Sequence, residues 1–225
     1  MTTTTRRRVV SGVAWSAPVV AFAATAPSAS ASSVTLCSGT ITWVAGAGSA
    51  GTFTKASNLN GTFTPTNTNQ PTVTIATTGG GTVNSNNLTT LNPVGALGVG
   101  GLDMQCDLGV GYANRTTWTY TFSKAVQELA FTITDIDTSN AEFVVIEHPA
   151  PTTFTQAAKV FRNTAATPPY WYGAAGSIDN STSGEGNLGI TMAGPLTTFT
   201  IAMFASQSNS GRNIYITPIT YKYAC

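Results

Sequence analysis

Trp118-Thr-Tyr-Thr-Phe-Ser-Lys-Ala-Val-Gln-Glu-Leu-Ala-Phe-Thr-Ile-Thr-Asp-Ile-Asp137 is the stretch whose reading decides the fold. Trp118, Tyr120 and Phe122 alternate with threonines, and Leu129, Phe131 and Ile133 alternate with Ala130, Thr132 and Thr134. A period of two puts successive side chains on opposite faces, so each run reads as a half-buried β-strand. The polar residues 123–128 between them predict a turn, and therefore a hairpin. The same alternation recurs downstream at 143–147, 188–192, 197–204 and 213–223. In the last of these Ile214 and Ile216 have the opposite parity to Ile219, Tyr221 and Tyr223, which predicts a bulge or edge position at Pro218.

Upstream, residues 40–44 read as an opening strand. Gly51-Thr-Phe-Thr54 returns as Gly61-Thr-Phe-Thr64, a pair best explained as a hairpin. Residues 71–76 and 87–91 are further short strands. Residues 93–111, rich in glycine, read as a long loop across one end. No stripe of period 3.6 appears after residue 31. Many short strands divided by turn residues predict an all-β fold: a single two-sheet antiparallel sandwich, jelly-roll-like.

Threonine accounts for 40 of the 225 residues and charged residues for only 8%. A β-branched side chain with a hydroxyl suits the solvent face of a pleated sheet. So little charge leaves no basic patch for nucleic acid and no basic face for anionic lipid. Residues 1–31 read as a cleavable secretory signal. Arg6, Arg7 and Arg8 precede an apolar run broken by Gly12 and Pro18, and Ala29-Ser-Ala31 supplies a small-x-small cleavage pattern. The paired arginines before Val9-Val10 resemble a twin-arginine export signal. Residues 32–225 then form a single domain, expected outside the cell or on its wall, with no membrane insertion after cleavage. Of its three cysteines, Cys37 and Cys225 lie at opposite ends, and first and last strands of a sandwich often pair. This favours a Cys37–Cys225 disulfide with Cys106 buried and free; Cys37–Cys106 is the alternative.

The quoted stretch also resembles a motif of secreted bacterial β-sandwich domains. In those, a strand ending Phe-Ser-x-Pro-Val precedes one carrying Leu-x-Phe-x-Ile-x-Asp-Ile-Asp; here Ala125 stands in place of the proline. Gly194-Pro-Leu-Thr-Thr-Phe-Thr-Ile201 and Ile214-Tyr-Ile-Thr-Pro-Ile219 are similar too. With the signal, the resemblance is to uncharacterised surface proteins of actinobacteria. It covers about half of residues 32–225 and implies a fold rather than an activity.

Two constellations invite chemistry. Asp135 and Asp137 continue the row of Phe131 and Ile133, and with Asn140 they form a candidate calcium site to which Glu142 is near enough to contribute. The competing reading is an Asx-type turn closing the strand. Tyr170, Trp171 and Tyr172 follow Pro168-Pro169 and read as aromatics presented by a loop to a glycan or a surface protein. Asp179, Asn180 and Glu185 are candidate polar partners. The other reading is that these rings pack against their own sandwich. His148 is the only histidine, which leaves no multi-histidine metal site, and no serine or cysteine sits beside a recognisable base. The sequence therefore predicts a non-catalytic surface binding module with no cofactor beyond structural calcium. Its rivals are a ligand-free envelope component and, more distantly, a glycoside hydrolase using the paired aspartates.

Overall fold

In the computed structural model, which describes residues 34–44, 50–137, 142–148, 151–174, 176 and 181–225, the quoted stretch is one strand. Fifteen strands are present among the described residues. They are β1 (Leu36–Ile41), β2 (Gly51–Lys55), β3 (Asn60–Pro65), β4 (Val73–Gly79), β5 (Thr90–Val94), β6 (Val99–Leu108), β7 (Thr116–Thr134) and β8 (Glu142–Glu147). They continue as β9 (Thr152–Gln156), β10 (Val160–Asn163), β11 (Tyr170–Gly173), β12 (Leu188–Met192), β13 (Leu196–Ala205), β14 (Asn209–Ile216) and β15 (Ile219–Ala224). A three-residue 3₁₀ turn at Tyr112–Asn114 is the one helical element among the described residues. The described residues from Val34 onward belong to one unit.

The hairpin expected at 123–128 is not there. Trp118, Tyr120, Phe122 and Val126 face inward, then the parity flips and Leu129, Phe131 and Ile133 do. Glu128, at φ 48, absorbs the extra residue. Register shifts in the ladders to β13 and β15 fall around the same point. A one-residue slip exchanges the two faces of a strand, and such a bulge lets one strand turn from one layer into another. β7 therefore belongs to both layers. Its first arm lies in the order β2-β3-β4-β7-β13-β8-β11-β10. Its second arm lies in the order β9-β12-β7-β15-β1, with β14, β6 and β5 continuing from its end. All these ladders are antiparallel, and hydrogen bonding through β7 makes them one sheet folded over on itself as a sandwich, as expected.

Aromatic side chains fill the space between the layers. Tyr120 stacks on Phe199 at 4.7 Å, Phe131 on Phe199 at 5.2 Å, and Phe122 meets Tyr221 edge-on at 5.7 Å. Trp118 and Tyr120 have no exposure to solvent. Burying such side chains contributes roughly 2–3 kcal/mol each, which makes the arms of β7 the main adhesive of the fold.

Cys37 and Cys225 are joined, with Cα atoms 5.5 Å apart, and β1 pairs with β15 as first and last strands. Cys106 is buried and free. Where a bulge or edge position was expected at Pro218 within one strand, the chain breaks into two: β14 stops at Ile216 and β15 starts at Ile219. Trp43 seals the break by donating Nε1–H to the Thr217 carbonyl at 2.8 Å. The glycine-tetrapeptide echo is the β2–β3 hairpin, with Phe53 opposite Phe63.

The glycine-rich segment 93–111 contains β6 and is not a loop. Gly100 and Gly101 lie within that strand because side chains close over them. A Cβ at Gly100 would sit 2.2 Å from Val44 Cγ2, and one at Gly101 2.8 Å from Val94 Cγ2. Glycine in a strand marks just such a close approach. The strand expected at 87–91 begins at Thr90, because Asn87 and Leu88 are buried in the preceding turn. The opening strand, expected at 40–44, occupies Leu36–Ile41.

The threonines take the outer face of the first layer. Thr54, Thr62, Thr74, Thr121 and Thr198 stand opposite one another across five consecutive strands. Neighbouring hydroxyls bond where they meet, Thr78 to Thr117 at 2.8 Å and Thr119 to Thr200 at 3.3 Å. Cross-strand Thr pairs of this kind stabilise a sheet without charge, which accounts for the composition.

One buried acid sets a pH dependence. Asp103 on β6 is 5% exposed, and burial pushes its carboxyl from 3.8 up to about 7, against a hydrogen bond from Asn213 and the charge of Lys55. The folded chain holds this proton more tightly than the unfolded one. Its contribution, about 4 kcal/mol at most, is complete below the unfolded value and is lost as pH rises through 7. Asp103→Asn is expected to raise the Tm by several degrees above pH 8 and to change it little near pH 4, measured by thermal melts across that range.

Candidate functional site

β11 carries Tyr170-Trp-Tyr172, and the period of two separates what the sequence reading held together. These residues lie in a strand, paired with β10 and β8, and not in a loop. Trp171 points inward beside Val144, while Tyr170 and Tyr172 point outward.

On the outer face, Tyr170 packs on Phe143 at 4.4 Å and Phe204 at 5.6 Å, and Tyr172 meets Phe161 at 5.7 Å. Asn163 Nδ2 donates to the Tyr170 hydroxyl at 2.9 Å. The rings are canted, Phe143 against Tyr172 by 86° and Tyr170 against Tyr172 by 63°. Tyr170, Phe143 and Phe204 form a small second core with Val145 and Ala202, and the set of rings is not a single flat platform.

On the inner face, the edges of the two layers stand apart and leave a cleft of about 570 Å³. β8, β10 and β11 form one wall and β9 the other. Trp171 and Phe154, one from each wall, touch with ring centroids 5.0 Å apart and form a joined aromatic surface with no gap between them. Arg162, the cross-strand partner of Trp171, lays its guanidinium 5.2 Å from the Trp171 ring and 5.3 Å from the Phe154 ring. Pro151, Pro168, Pro169 and Ile146 complete the apolar lining. The polar groups at its mouth are His148, whose Nε2 is 2.7 Å from the Thr152 hydroxyl, and Glu147. Glu147 is already engaged: it accepts from the Tyr112 hydroxyl and pairs with Arg115 Nε at 3.3 Å. Concave, mostly apolar, with a few convergent polar groups, this is the form a small-ligand site takes.

Most of its lining residues lay outside the sequence reading of the site. β9 and β10 had no clear signal in 152–163, so Phe154 and Arg162 could not be placed beside Trp171. The signal was present in Arg162 itself, since each of the few charges in such a chain warrants a search for what it faces.

Asp135 and Asp137 do not continue the row of Phe131 and Ile133. β7 ends at Thr134, and Asp135 turns the chain at φ 69. Both aspartates are 8% exposed and Ile136 is fully buried between them. Gly173 of β11 packs against this turn so closely that a Cβ there would lie 2.4 Å from the Ile136 carbonyl oxygen. Glu142 is nearby; burial first, then the charge of Asp137, pushes its carboxyl up to about 9, against the pull of Arg212. Arg212 Nε is 3.6 Å from Glu142 Oε1. Among the described residues no group of three or more His, Cys, Asp or Glu side chains is placed to hold a metal ion. Asn140, like Asp179 and Asn180, lies outside the described residues. Glu185 pairs with Lys159 at 2.6 Å.

Comparison with family models, with curated proteins and with solved structures finds no match to this chain.

Proposed function

We propose that residues 32–225 are a non-catalytic binding module, exported by the signal in residues 1–31 and working outside the cell or on its wall, that takes a glycan into the cleft beside Trp171. The observation that carries this reading is a concave space lined by Trp171 and Phe154, which touch each other, and by Arg162, His148 and Thr152. Aromatic walls offer apolar surface to the C–H face of a sugar ring, and the polar groups offer bonds to its hydroxyls. The Cys37–Cys225 disulfide suits an oxidising compartment, where an exported module would fold and persist. The uncharged threonine face suits life at a surface where neither nucleic acid nor anionic lipid is the partner. Structural calcium at Asp135 and Asp137 is not required by this reading.

A glycan array with the protein lacking residues 1–31 tests the proposal. Binding to at least one saccharide is expected, and Phe154→Ala, which removes one wall at a half-buried position, is expected to weaken it tenfold or more. Trp171→Phe keeps most of the packing volume while shortening the other wall, and should weaken binding with a smaller loss of stability. Absence of any bound glycan, or full binding by both folded variants, would point to a protein partner or to a structural role.

A further inference from the structure

We infer that the cleft reads a carboxylate, so that its ligand is an acidic saccharide of the uronate class; this rests on the glycan reading above and specifies it. Beyond residue 33 the chain has seven basic side chains: Lys55, Arg115, Lys124, Lys159, Arg162, Arg212 and Lys222. Lys55 and Lys124 donate to the carbonyls of Ser85 and Asn69. Arg115, Lys159, Arg212 and Lys222 each pair with a glutamate. Arg162 alone has no carboxylate or carbonyl partner among the described residues; its contacts are the faces of Trp171 and Phe154.

That manner of holding matters. A cation–π contact to aromatic rings occupies none of the guanidinium's N–H donors. The side chain is oriented before any ligand arrives, so little freedom is lost when it binds. Two parallel N–H donors match the two oxygens of a carboxylate, and charge-assisted pairs of this kind are about twice as strong as neutral hydrogen bonds. The one carboxylate lining the cleft, Glu147, is satisfied by Tyr112 and Arg115 and does not compete for Arg162. His148 and Thr152 stand on the same rim and can bond the hydroxyls of the ring that bears the acid. A sugar acid therefore uses both the charge and the walls, whereas a neutral sugar leaves Arg162 unanswered.

Calorimetric titration with an oligogalacturonate and its methyl ester, matched in length, tests this with one variable changed. The acid is expected to bind at least tenfold more tightly than the ester, and its affinity to fall as salt is raised. Arg162→Gln should bring the acid down to the level of the ester, and Arg162→Lys should recover only part of the difference because it lacks the planar fork. Thermal melts of both variants establish that the fold is kept. Equal affinity for acid and ester overturns the inference and leaves the glycan reading standing. Failure to bind either oligomer, with neutral glycans bound on the array, overturns it as well; failure on the array too removes the glycan reading itself.

Discussion

Loss of the Cys37–Cys225 bridge, as Cys37→Ser with Cys225→Ser, is expected to lower the stability of the folded domain by about 5 kcal/mol. The bridge closes a loop of 188 residues, and in the chain-entropy model the cost of that closure is taken from the unfolded state. The folded state keeps other restraints on the same strand. β1 holds its full ladder to β15, and Ile41 and Trp43 stay anchored in the core. The double variant should therefore retain its native spectrum and unfold at a much lower urea concentration. Urea melts of the oxidised, reduced and double-serine proteins check this. A midpoint unchanged on reduction would mean that the unfolded chain is restrained by something other than the bridge.

The second large effect is expected at Asn87, which carries no charge. It is fully buried. Its Oδ1 accepts from Trp118 Nε1 at 2.9 Å and from the Gln105 backbone N–H at 3.0 Å. Its Nδ2 donates to the Asn58 carbonyl and to Thr77 Oγ1. One amide thus ties β4, β6 and the first arm of β7 to the 57–60 turn, with every bonding position used. Asn87→Ala leaves the indole and the Gln105 amide unbonded in a dry site and opens a cavity, for an expected loss of about 3–5 kcal/mol. Asn87→Asp keeps the acceptors, loses the donors and places a charge there, so its cost should grow as pH rises. Fluorescence-monitored urea unfolding measures both; a loss below about 1 kcal/mol for Asn87→Ala would mean that the network can rearrange around the gap.

How much of this was legible beforehand follows from which interactions are local. Alternation is local, and it led correctly to the all-β sandwich, to most strands, to the β2–β3 hairpin and to an irregularity at Pro218. The disulfide was legible from the placement of cysteines at the two ends. The unity of β7 was not. Residues 123–128 have the composition of a turn, yet Val126 is fully buried and the bulge at Glu128 repairs the parity. β6 was missed for a related reason: what makes glycine right at positions 100 and 101 is the side chain of Val44, distant in sequence, and that of Val94 across the β5–β6 hairpin.

The candidate site was half visible. The aromatic triplet drew attention to β11, but adjacency in sequence suggested a shared surface, and a strand divides neighbours between two faces. Tyr170 therefore packs a second core, Tyr172 lies on the same outer face against Phe161, and Trp171 alone of the three reaches the cleft. Arg162 becomes meaningful only once β10 is laid beside β11. The aspartates were expected on a strand face. The positive φ of Asp135 instead folds them into the buried surroundings of Glu142 and Arg212.

The central claim is that ligand enters beside Trp171, and the tryptophans themselves provide the most direct test. Beyond residue 33 the chain has three: Trp43, Trp118 and Trp171. The indole N–H groups of Trp43 and Trp118 are bonded in the core, to the Thr217 carbonyl and the Asn87 side chain, while Trp171 lines the cleft. A titration of the nitrogen-15-labelled protein with the tightest-binding saccharide, followed by the three indole N–H resonances, should move that of Trp171 and leave those of Trp43 and Trp118 in place. Saturable binding that leaves the Trp171 resonance unmoved would contradict the account.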